Sequence, residues 1–458
     1  MGRRDGDGDG DGAKKRARTD AGDSSIDERR GDEARAWGDG VTAREAYEAC
    51  VTRARDGESV SSAAFVKWSL MSRATRLERL DDDDAFANAL RDGLEVAMGE
   101  CTKARPNAAL EEIGRDKRLR AVGGQLALLL CHRGEDEDAR NLLQFMGFTH
   151  RLGRDVLRYA SPPVEACAEA SKDADDVVRA FDDALDAETL RFLRGAFARH
   201  PTREDRSFWR EHDYFRPTTG FFSYVHRLGD GAPENVMDVV VERVREIASR
   251  AFPRVKTARF AEWWAHARPH SDGHQLHFDS HDEGVGGVKH PICSAIVYVD
   301  GECGGPTLVT NQRDEKSPKL ASCGWLLYPK TGRVGVFHGD YLHGVVPGRA
   351  VDVVSDDDAL AARHRVTLMI AFWADMEVHS TWRPAGSARP FPPADAPVKW
   401  RAGFEFASSS GPERFPSRAA SATRAAPVPV RNVWQRVDDE PIAEDDPIPS
   451  YDACFQGF

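Results

Sequence analysis

The pattern of apolar residues along the sequence changes after Pro253, and this change restricts the fold more than any other feature. From there to about residue 376, short apolar or β-branched segments alternate with glycine and proline, as in "ICSAIVYVDGE" and "VGVFHGDYLHGVVPG". Segments of this length and spacing are typical of strands in a sandwich or a small barrel. The preceding part of the chain has a helical period. We therefore expect an α+β fold in which helices support a sheet core.

Two amphipathic helices are predicted just before the strands. "AFDDALDAETLRFLRGAF" offers Asp186 as an N-cap, followed by Leu193 and Phe197 on one stripe. The second helix runs through "ENVMDVVVERVREIA" and presents four apolar side chains to the core: Val240, Val241, Val244 and Ile247. Both helices are expected to pack on one face of the sheet.

The chain is expected to divide into four parts. Residues 1–40 mix glycine, aspartate and basic residues with almost nothing to bury and are predicted to be a disordered tail. Residues 41–170 have a helical pattern, and residues 171–380 hold the sheet core. Residues 381–458 are rich in proline and are predicted to be largely irregular, anchored by Trp400 and Trp434. Within the first tail, "KKRAR" is either a nuclear localisation signal or a solvated charge run.

Composition excludes some classes of function. The net charge of −12 argues against a general nucleic-acid binder, because phosphate contacts require a basic surface. No run approaches the ~18 consecutive apolar residues of a membrane helix. The eight cysteines are scattered and form no CxxC pair, so no cysteine-based zinc site is predicted. We expect a soluble intracellular protein of the nucleus or cytoplasm, without a membrane partner.

The stretch "GHQLHFDSHDEG" is the main candidate for a metal site. Residues i and i+2 of a strand project from the same face, so His277 and Asp279 can direct an imidazole and a carboxylate at one ion. The third ligand has to come from elsewhere, and His343 in "DYLHGVVPG" is the candidate we favour. Two histidines and one carboxylate leave open positions on iron(II). Three neighbouring residues are alternative ligands at this point: His274, His281 and Asp282.

Five pieces of sequence in order resemble the iron(II) and 2-oxoglutarate-dependent dioxygenases, closest to the prolyl 4-hydroxylase-like branch. They are "HFD" (277–279), "AIVYVDGECGGPTLV" (295–309), "YLHGVVPG" (341–348), "RHRVTLMIAFW" (363–373) and the helix-rich start before them. The resemblance spans about residues 175–376. It implies a double-stranded β-helix, or jelly-roll, core. It also implies iron(II), 2-oxoglutarate as cosubstrate, molecular oxygen, and ascorbate as an additional reductant.

By this resemblance His277, Asp279 and His343 are the iron ligands. Arg365 would bind the distal carboxylate of 2-oxoglutarate, with Thr367 beside it and Tyr298 on a neighbouring strand. A guanidinium suits a buried carboxylate because it offers a two-pronged set of donors.

The sequence departs from the family in an acidic insertion, residues 352–363, between His343 and Arg365. The insertion leaves Arg349 and Arg363 as alternative anchors. We favour Arg365 because alternation places it on one strand face with Thr367 and Met369. Gly304 and Gly305 are expected to form only a turn before "PTLV".

The substrate pocket is expected to draw on "WWAHARPHSDGHQ", ahead of the metal motif. We assign Trp264 and Gln275 to substrate binding, whereas Trp263 is expected to be a core residue. The resemblance implies hydroxylation of an unactivated C–H bond, with a protein side chain such as proline as substrate and a small molecule as the alternative. Two rival functions remain: a non-catalytic scaffold or binding protein of the same fold, and a cupin-like metal enzyme that needs no cosubstrate.

Overall fold

A computed structural model of the protein describes residues 25–75, 80, 83–159, 178–198, 208–216, 220–229, 231–281, 288–300, 304–314, 319–349, 364–383, 386–406, 422–443 and 446–458. Several predictions fall outside these residues: the "KKRAR" signal, the acidic insertion 352–363, and the alternative site residues Asp282 and Arg363.

Helices dominate the described chain up to residue 157. Aspartate side chains cap three of them, at Asp39, Asp83 and Asp116, by accepting hydrogen bonds from backbone amides of the first turn. Among the described residues, no helix is both long and apolar enough to cross a membrane. The helices are α1 (25–36), α2 (Gly40–Arg55), α3 (Ser62–Thr75), α4 (Asp84–Ala104), α5 (Leu110–Gly114), α6 (Lys117–Arg133), α7 (Asp136–Phe145), α8 (Arg154–Leu157), α9 (Ala187–Ala196), α10 (Phe208–Glu211) and α11 (Val236–Ala251).

Residues 25–36, which were predicted to belong to a disordered tail, form helix α1. Polar contacts hold this helix in place. The hydroxyl of Tyr47 donates to Asp32 at 2.7 Å, and the ammonium of Lys67 pairs with both Glu28 and Asp32. The prediction from composition considered only apolar burial, and it therefore missed a helix that ion pairs and a buried tyrosine attach to α2 and α3.

The strands lie mostly between residues 178 and 373. They are β1 (His150–Leu152), β2 (Val178–Asp182), β3 (Tyr224–Arg227), β4 (Phe260–Pro269), β5 (His274–His277), β6 (Cys293–Asp300), β7 (Thr307–Arg313), β8 (Cys323–Leu327), β9 (Val334–His338), β10 (Tyr341–Val345), β11 (His364–Trp373), β12 (Arg389–Pro390), β13 (Thr423–Ala425), β14 (Val428–Arg431), β15 (Trp434–Arg436) and β16 (Cys454–Phe455).

These strands form two large sheets and a small one. The eight-stranded sheet has the order β12-β3-β4-β11-β6-β9-β2-β13, and the five-stranded sheet has the order β14-β8-β7-β10-β5. Nearly all neighbours in the two large sheets are antiparallel, with the longest pairing between β4 and β11. The third sheet, β15-β1-β16, lies beside the helical region. The mixed architecture with large antiparallel sheets is consistent with the predicted jelly-roll core.

The two large sheets face each other across an apolar layer. Ile296 and Met369 from the larger sheet and Val309 and Leu327 from the smaller sheet belong to one buried cluster. The outer face of the larger sheet packs on α11 through a second cluster. Alternation along β11 divides its side chains accordingly: Val366, Leu368 and Ile370 join the helices, whereas Met369 faces the opposite sheet.

The predicted helices before the sheet are present. Asp186 caps α9 by accepting a hydrogen bond from the amide of Thr189 at 2.8 Å. The four apolar residues predicted for α11 are all buried: Val240, Val241, Val244 and Ile247. The 3.6-residue period was sufficient here because one face of each helix packs directly on the sheet.

The C-terminal part, predicted to be largely irregular, is interrupted by several short strands in its described length. Strand β14 extends the five-stranded sheet by pairing with β8, and β15 and β16 flank β1 of the helical region. Trp400 and Trp434 are buried, as the predicted anchoring requires. These strands are two to four residues long and pair with distant segments, so local sequence patterns do not reveal them.

Candidate metal centre

The first two predicted metal ligands lie at the end of an edge strand. Strand β5 closes one side of the five-stranded sheet and pairs with β10, so that His277 stands directly opposite His343. Asp279 follows two residues after His277. One ligand atom from each of these three side chains lies within 4.8 Å of the other two. Among the described residues, this is the group of histidine, cysteine or acidic residues that satisfies the spacing of a metal site.

Backbone carbonyls determine which nitrogen of each imidazole can bind a metal. Nδ1 of His277 lies 2.9 Å from the carbonyl of Gln275, and Nδ1 of His343 lies 2.9 Å from the carbonyl of Tyr341. A carbonyl only accepts hydrogen bonds, so each Nδ1 carries the proton. In the neutral form of each imidazole Nε2 then keeps a free lone pair, and this arrangement of outer hydrogen bonds is usual for metal-binding histidines.

The carboxylate of Asp279 is oriented in the same way. Ser294 donates a hydrogen bond of 2.6 Å to Oδ2, while Oδ1 lies 3.7 Å from Nε2 of both histidines. One carboxylate oxygen is thus held by a serine of β6, and the other faces the two imidazoles. This geometry suits a carboxylate that binds a metal through one oxygen.

The electrostatic environment keeps His343 neutral. Burial is the largest influence and, with the nearby His277, lowers the pKa of His343 to about 4, although Asp279 acts in the opposite direction. Its Nε2 is also buried without a hydrogen-bond partner among the described residues. A neutral imidazole with an unsatisfied lone pair is the form that binds a divalent cation. Two nitrogens and one carboxylate oxygen are the donor set of a non-haem iron(II) site, so the residues present fit that ion.

The alternative ligands from the same stretch are placed differently. The ring of His274 lies 4.7 Å from the ring of His277, but His274 does not belong to the converging group. Burial lowers the pKa of His274, and Arg268 lowers it further. His281 pairs with Lys289 through the backbone and lies against Trp373. Neither His274 nor His281 therefore belongs to the group formed by the other three side chains.

A small cavity adjoins the two histidines and contains most of the predicted cosubstrate residues. Arg365 and Thr367 of β11 line it together with Met369. The guanidinium of Arg365 is buried and donates to the carbonyl of Gly305 at 2.6 Å. Arg349 is elsewhere, because its guanidinium donates to the carbonyls of Arg158 and Tyr159.

Tyr298 lies one layer behind this cavity. Its hydroxyl donates to the carbonyl of Leu327 at 3.2 Å and lies 3.0 Å from the hydroxyl of Thr307. Thr307, rather than Tyr298, lines the cavity. We assigned no role to Thr307 from the sequence, although it occupies the threonine position of the "GGPT" segment. The sequence motif therefore contained Thr307, but only the tertiary structure shows that the hydroxyl of Thr307, and not that of Tyr298, faces the cavity.

The glycine pair before β7 does more than form a turn. A side chain at Gly305 would collide with the carbonyl of Val346, since its Cβ would lie 1.9 Å from that oxygen. Gly304 has a φ of 90°, and its Cβ would come within 3.1 Å of the guanidinium of Arg365. Gly304 thus leaves room for the guanidinium of Arg365, and Gly305 lets the backbone at Val346 approach closely.

A large cleft of about 1430 Å³ opens onto the metal centre. One wall comes from residues 35–41 and from α3, and the other comes from β4 and β5. Trp264 is buried and lines both the cleft and the cavity, whereas Gln275 is exposed in the cleft. Trp263 is fully buried and donates to Nε2 of His226, as expected of a core residue. The helical region therefore contributes directly to the cleft.

A buried carboxyl group in the cleft was not predicted. Glu262 points to the inner face of β4 and accepts a hydrogen bond from Ser223. Burial, reinforced by Asp279, raises the pKa of Glu262 to about 7 despite the hydrogen bond from Ser223. A single glutamate inside an apolar strand gives no sequence signal of its own, because its exposure depends on what covers the strand.

Comparison with known proteins yields only distant structural similarity. No family model matches the chain, and no curated protein matches it. A prolyl-4-hydroxylase of Pseudomonas putida is 16% identical over 44% of this chain and 89% of its own, with a TM-score of 0.27. A viral collagen prolyl hydroxylase of Paramecium bursaria Chlorella virus-1, in complex with 2-oxoglutarate, is 12% identical over 44% and 98% of the two chains, with a TM-score of 0.26. HygX of Streptomyces hygroscopicus, with nickel and 2-oxoglutarate bound, is 13% identical over 46% and 90%, with a TM-score of 0.23.

Proposed function

We propose that this protein is an iron(II)- and 2-oxoglutarate-dependent dioxygenase that hydroxylates an unactivated C–H bond. The convergence of His277, Asp279 and His343 carries the proposal, because both free Nε2 atoms and one carboxylate oxygen face a common point. Bound iron(II), with 2-oxoglutarate and oxygen, would supply the oxidising chemistry and convert the cosubstrate to succinate and carbon dioxide.

The protein's own side chains would bind and orient the reactants. The carbonyls of Gln275 and Tyr341 and the hydroxyl of Ser294 hold the three ligands in the required orientation. Arg365 would receive the distal carboxylate of 2-oxoglutarate, with Thr367 and Thr307 offering hydroxyl groups in the same cavity. Tyr298 would act through Thr307, whose hydroxyl it contacts.

The cleft favours a polypeptide over a small metabolite as substrate. Its volume of about 1430 Å³ exceeds the roughly 300–1,000 Å³ usual for small-molecule sites. Aromatic side chains line its walls, including Trp37, Tyr214 and Trp264. We therefore propose that a protein segment lies in the cleft and presents one side chain, such as a proline, to the metal. Trp264 and Gln275 would contact that segment.

A binding measurement and a turnover measurement test the proposal. Iron-loaded protein mixed with 2-oxoglutarate without oxygen should show the weak visible absorption of the chelate, and admitting oxygen should produce succinate. Asp279→Ala should lose stoichiometric iron binding and both signals, whereas the exposed-carboxylate control Asp375→Ala should keep them. Well-folded, iron-loaded protein without the absorption band would exclude the cosubstrate and leave the scaffold or cupin-like readings.

A further inference from the structure

A second arginine faces the cavity beside Arg365. Arg268 lies on β4 directly opposite Arg365 on β11. Side chains at directly opposed positions of antiparallel strands project from the same face of the sheet, so both guanidinium groups point to the inner face. Both residues line the cavity that contains the imidazoles of His277 and His343.

The described residues that line this cavity carry positive charge without a matching negative charge. Its described lining residues include the two arginines but no aspartate or glutamate. Guanidinium groups do not lose their proton in proteins, and like charges at opposed cross-strand positions destabilise a sheet. An anion in the cavity would relieve this repulsion.

The hydrogen bonds of Arg268 are incomplete among the described residues. Its Nη1 donates to the carbonyl of Gly273 at 3.1 Å, whereas its Nε is buried with no hydrogen-bond partner there. Asp272 is close enough to be affected by its charge, but burial raises the pKa of the Asp272 carboxyl despite that charge. The Nε of Arg268 thus keeps a buried donor for which the described residues supply no acceptor.

We propose that Arg268 is a second anion-binding residue for the cosubstrate. With Arg365 it forms a two-guanidinium site for the distal carboxylate of 2-oxoglutarate, and this assignment rests on the function proposed above. Arg365 approaches from β11 and Arg268 from β4, so the carboxylate would bridge two neighbouring strands. The site would then select 2-oxo acids that carry a second carboxylate and reject those that lack one.

Comparing two ligands tests the assignment without any protein substrate. The probes are 2-oxoglutarate and 2-oxovalerate, which has the same chain length but no distal carboxylate, titrated into iron-loaded protein without oxygen. Arg268→Gln should weaken 2-oxoglutarate binding by about tenfold to hundredfold, the range for losing a hydrogen bond between charged groups. Binding of 2-oxovalerate and the iron affinity should not change, and the melting temperature of the ligand-free protein should not fall, because the variant removes one of two opposed like charges. Arg268→Lys should give an intermediate loss.

A matched control separates this effect from a general change of charge. Arg227 on β3 is exposed and lies over the ring of Phe260, so Arg227→Gln removes the same charge from the same sheet. It should leave both ligands unaffected. Equal weakening of the two 2-oxo acids by Arg268→Gln, or no weakening of either, would overturn the role of Arg268. A wild-type protein that does not prefer 2-oxoglutarate to 2-oxovalerate would instead refute the proposed function, and the assignment with it.

Discussion

At the scale of single residues, the centre is defined by what each polar atom is already bonded to. Both Nδ1 atoms are used by carbonyls and Oδ2 of Asp279 is used by Ser294, so the remaining Nε2 and Oδ1 atoms share one space. The same reasoning separates the candidate anchors. Arg365 lines the cavity, whereas the guanidinium of Arg349 donates hydrogen bonds to carbonyls of the helical region.

Replacing Arg365 by alanine should therefore raise the 2-oxoglutarate requirement strongly and spare iron binding. The expected loss is about 1.5–3 kcal/mol of binding free energy, as for other hydrogen bonds to charged groups. Titrations of iron and of 2-oxoglutarate measure the two effects separately. Arg349→Ala is the matched control and should leave cosubstrate affinity unchanged. If the Arg349 variant weakened cosubstrate binding and the Arg365 variant did not, the anchor would be misassigned.

Ionisation of Glu262 should make the free energy of unfolding fall with rising pH. Replacing Glu262 by a residue that does not ionise should remove this dependence. Its folded pKa is raised from 4.5 to about 7, so between these values the folded state holds a proton that the unfolded state has released. The stability cost of ionising the buried carboxyl is thus absent at low pH, grows as pH rises from about 4.5 to 7, and is constant above.

Relative to the wild type, Glu262→Gln should consequently raise the free energy of unfolding of the metal-free protein more at pH 8 than at pH 5. The difference should be up to about 3 kcal/mol. Urea unfolding at the two pH values measures the difference. Glu377, which is exposed, provides the control variant Glu377→Gln, and this variant should show little pH-dependent change. An equal effect of Glu262→Gln at both pH values would mean that the carboxyl is ionised throughout.

At the scale of elements, strand β5, which carries His277, depends on a distant segment. It is an edge strand of four residues, and such a strand leaves part of its backbone without a neighbouring strand. The side chain of Gln456 supplies one acceptor, since its Oε1 receives a hydrogen bond of 2.8 Å from the amide of Leu276. Leu276 lies between Gln275, whose carbonyl orients His277, and His277 itself.

Gln456→Ala should loosen β5 and weaken iron binding severalfold, because the amide of Leu276 would lose its buried acceptor. Hydrogen exchange at Leu276 should accelerate in parallel. Gln435→Ala is a matched control, since Gln435 also accepts from a backbone amide, that of Arg154, but in the small sheet. An unchanged exchange rate at Leu276 would show that Gln456 does not hold the strand.

At the scale of the whole molecule, the helical region and the sheet core share one cleft. Arg210 of α10 lies 3.6 Å from the ring of Trp37, which follows α1, and this contact joins the two parts at the cleft wall. From the sequence we favoured a helical region that supports the core, with a partner-binding module as the alternative. The structure shows that residues of this region face the same space as His277 and Asp279.

Trp37→Ala should weaken the attachment of α1 to the sheet core while leaving iron and 2-oxoglutarate affinity intact. The lost cation–π contact corresponds to about 0.5–2 kcal/mol. The rate of hydrogen exchange over residues 25–40 should rise by the factor that corresponds to this free energy. Trp382→Ala is the control, because the guanidinium of its neighbour Arg383 lies over the ring of Trp382 in a similar pair. Unchanged protection of residues 25–40 would show that other contacts hold the helix.

The sequence by itself determined those features that depend on local spacing. The helical period predicted α9 and α11, the alternation in β11 predicted its two faces, and the i, i+2 spacing of "HFD" directed His277 and Asp279 at one point. Helix α1 and the C-terminal strands were missed, because ion pairs and pairing with distant segments stabilise them. Only the tertiary structure decided which distant residues meet: His343 opposite His277, Arg268 opposite Arg365, and Thr307 in front of Tyr298. The physical reason is that strand register, which no local pattern encodes, determines which side chains of separate segments share one cavity.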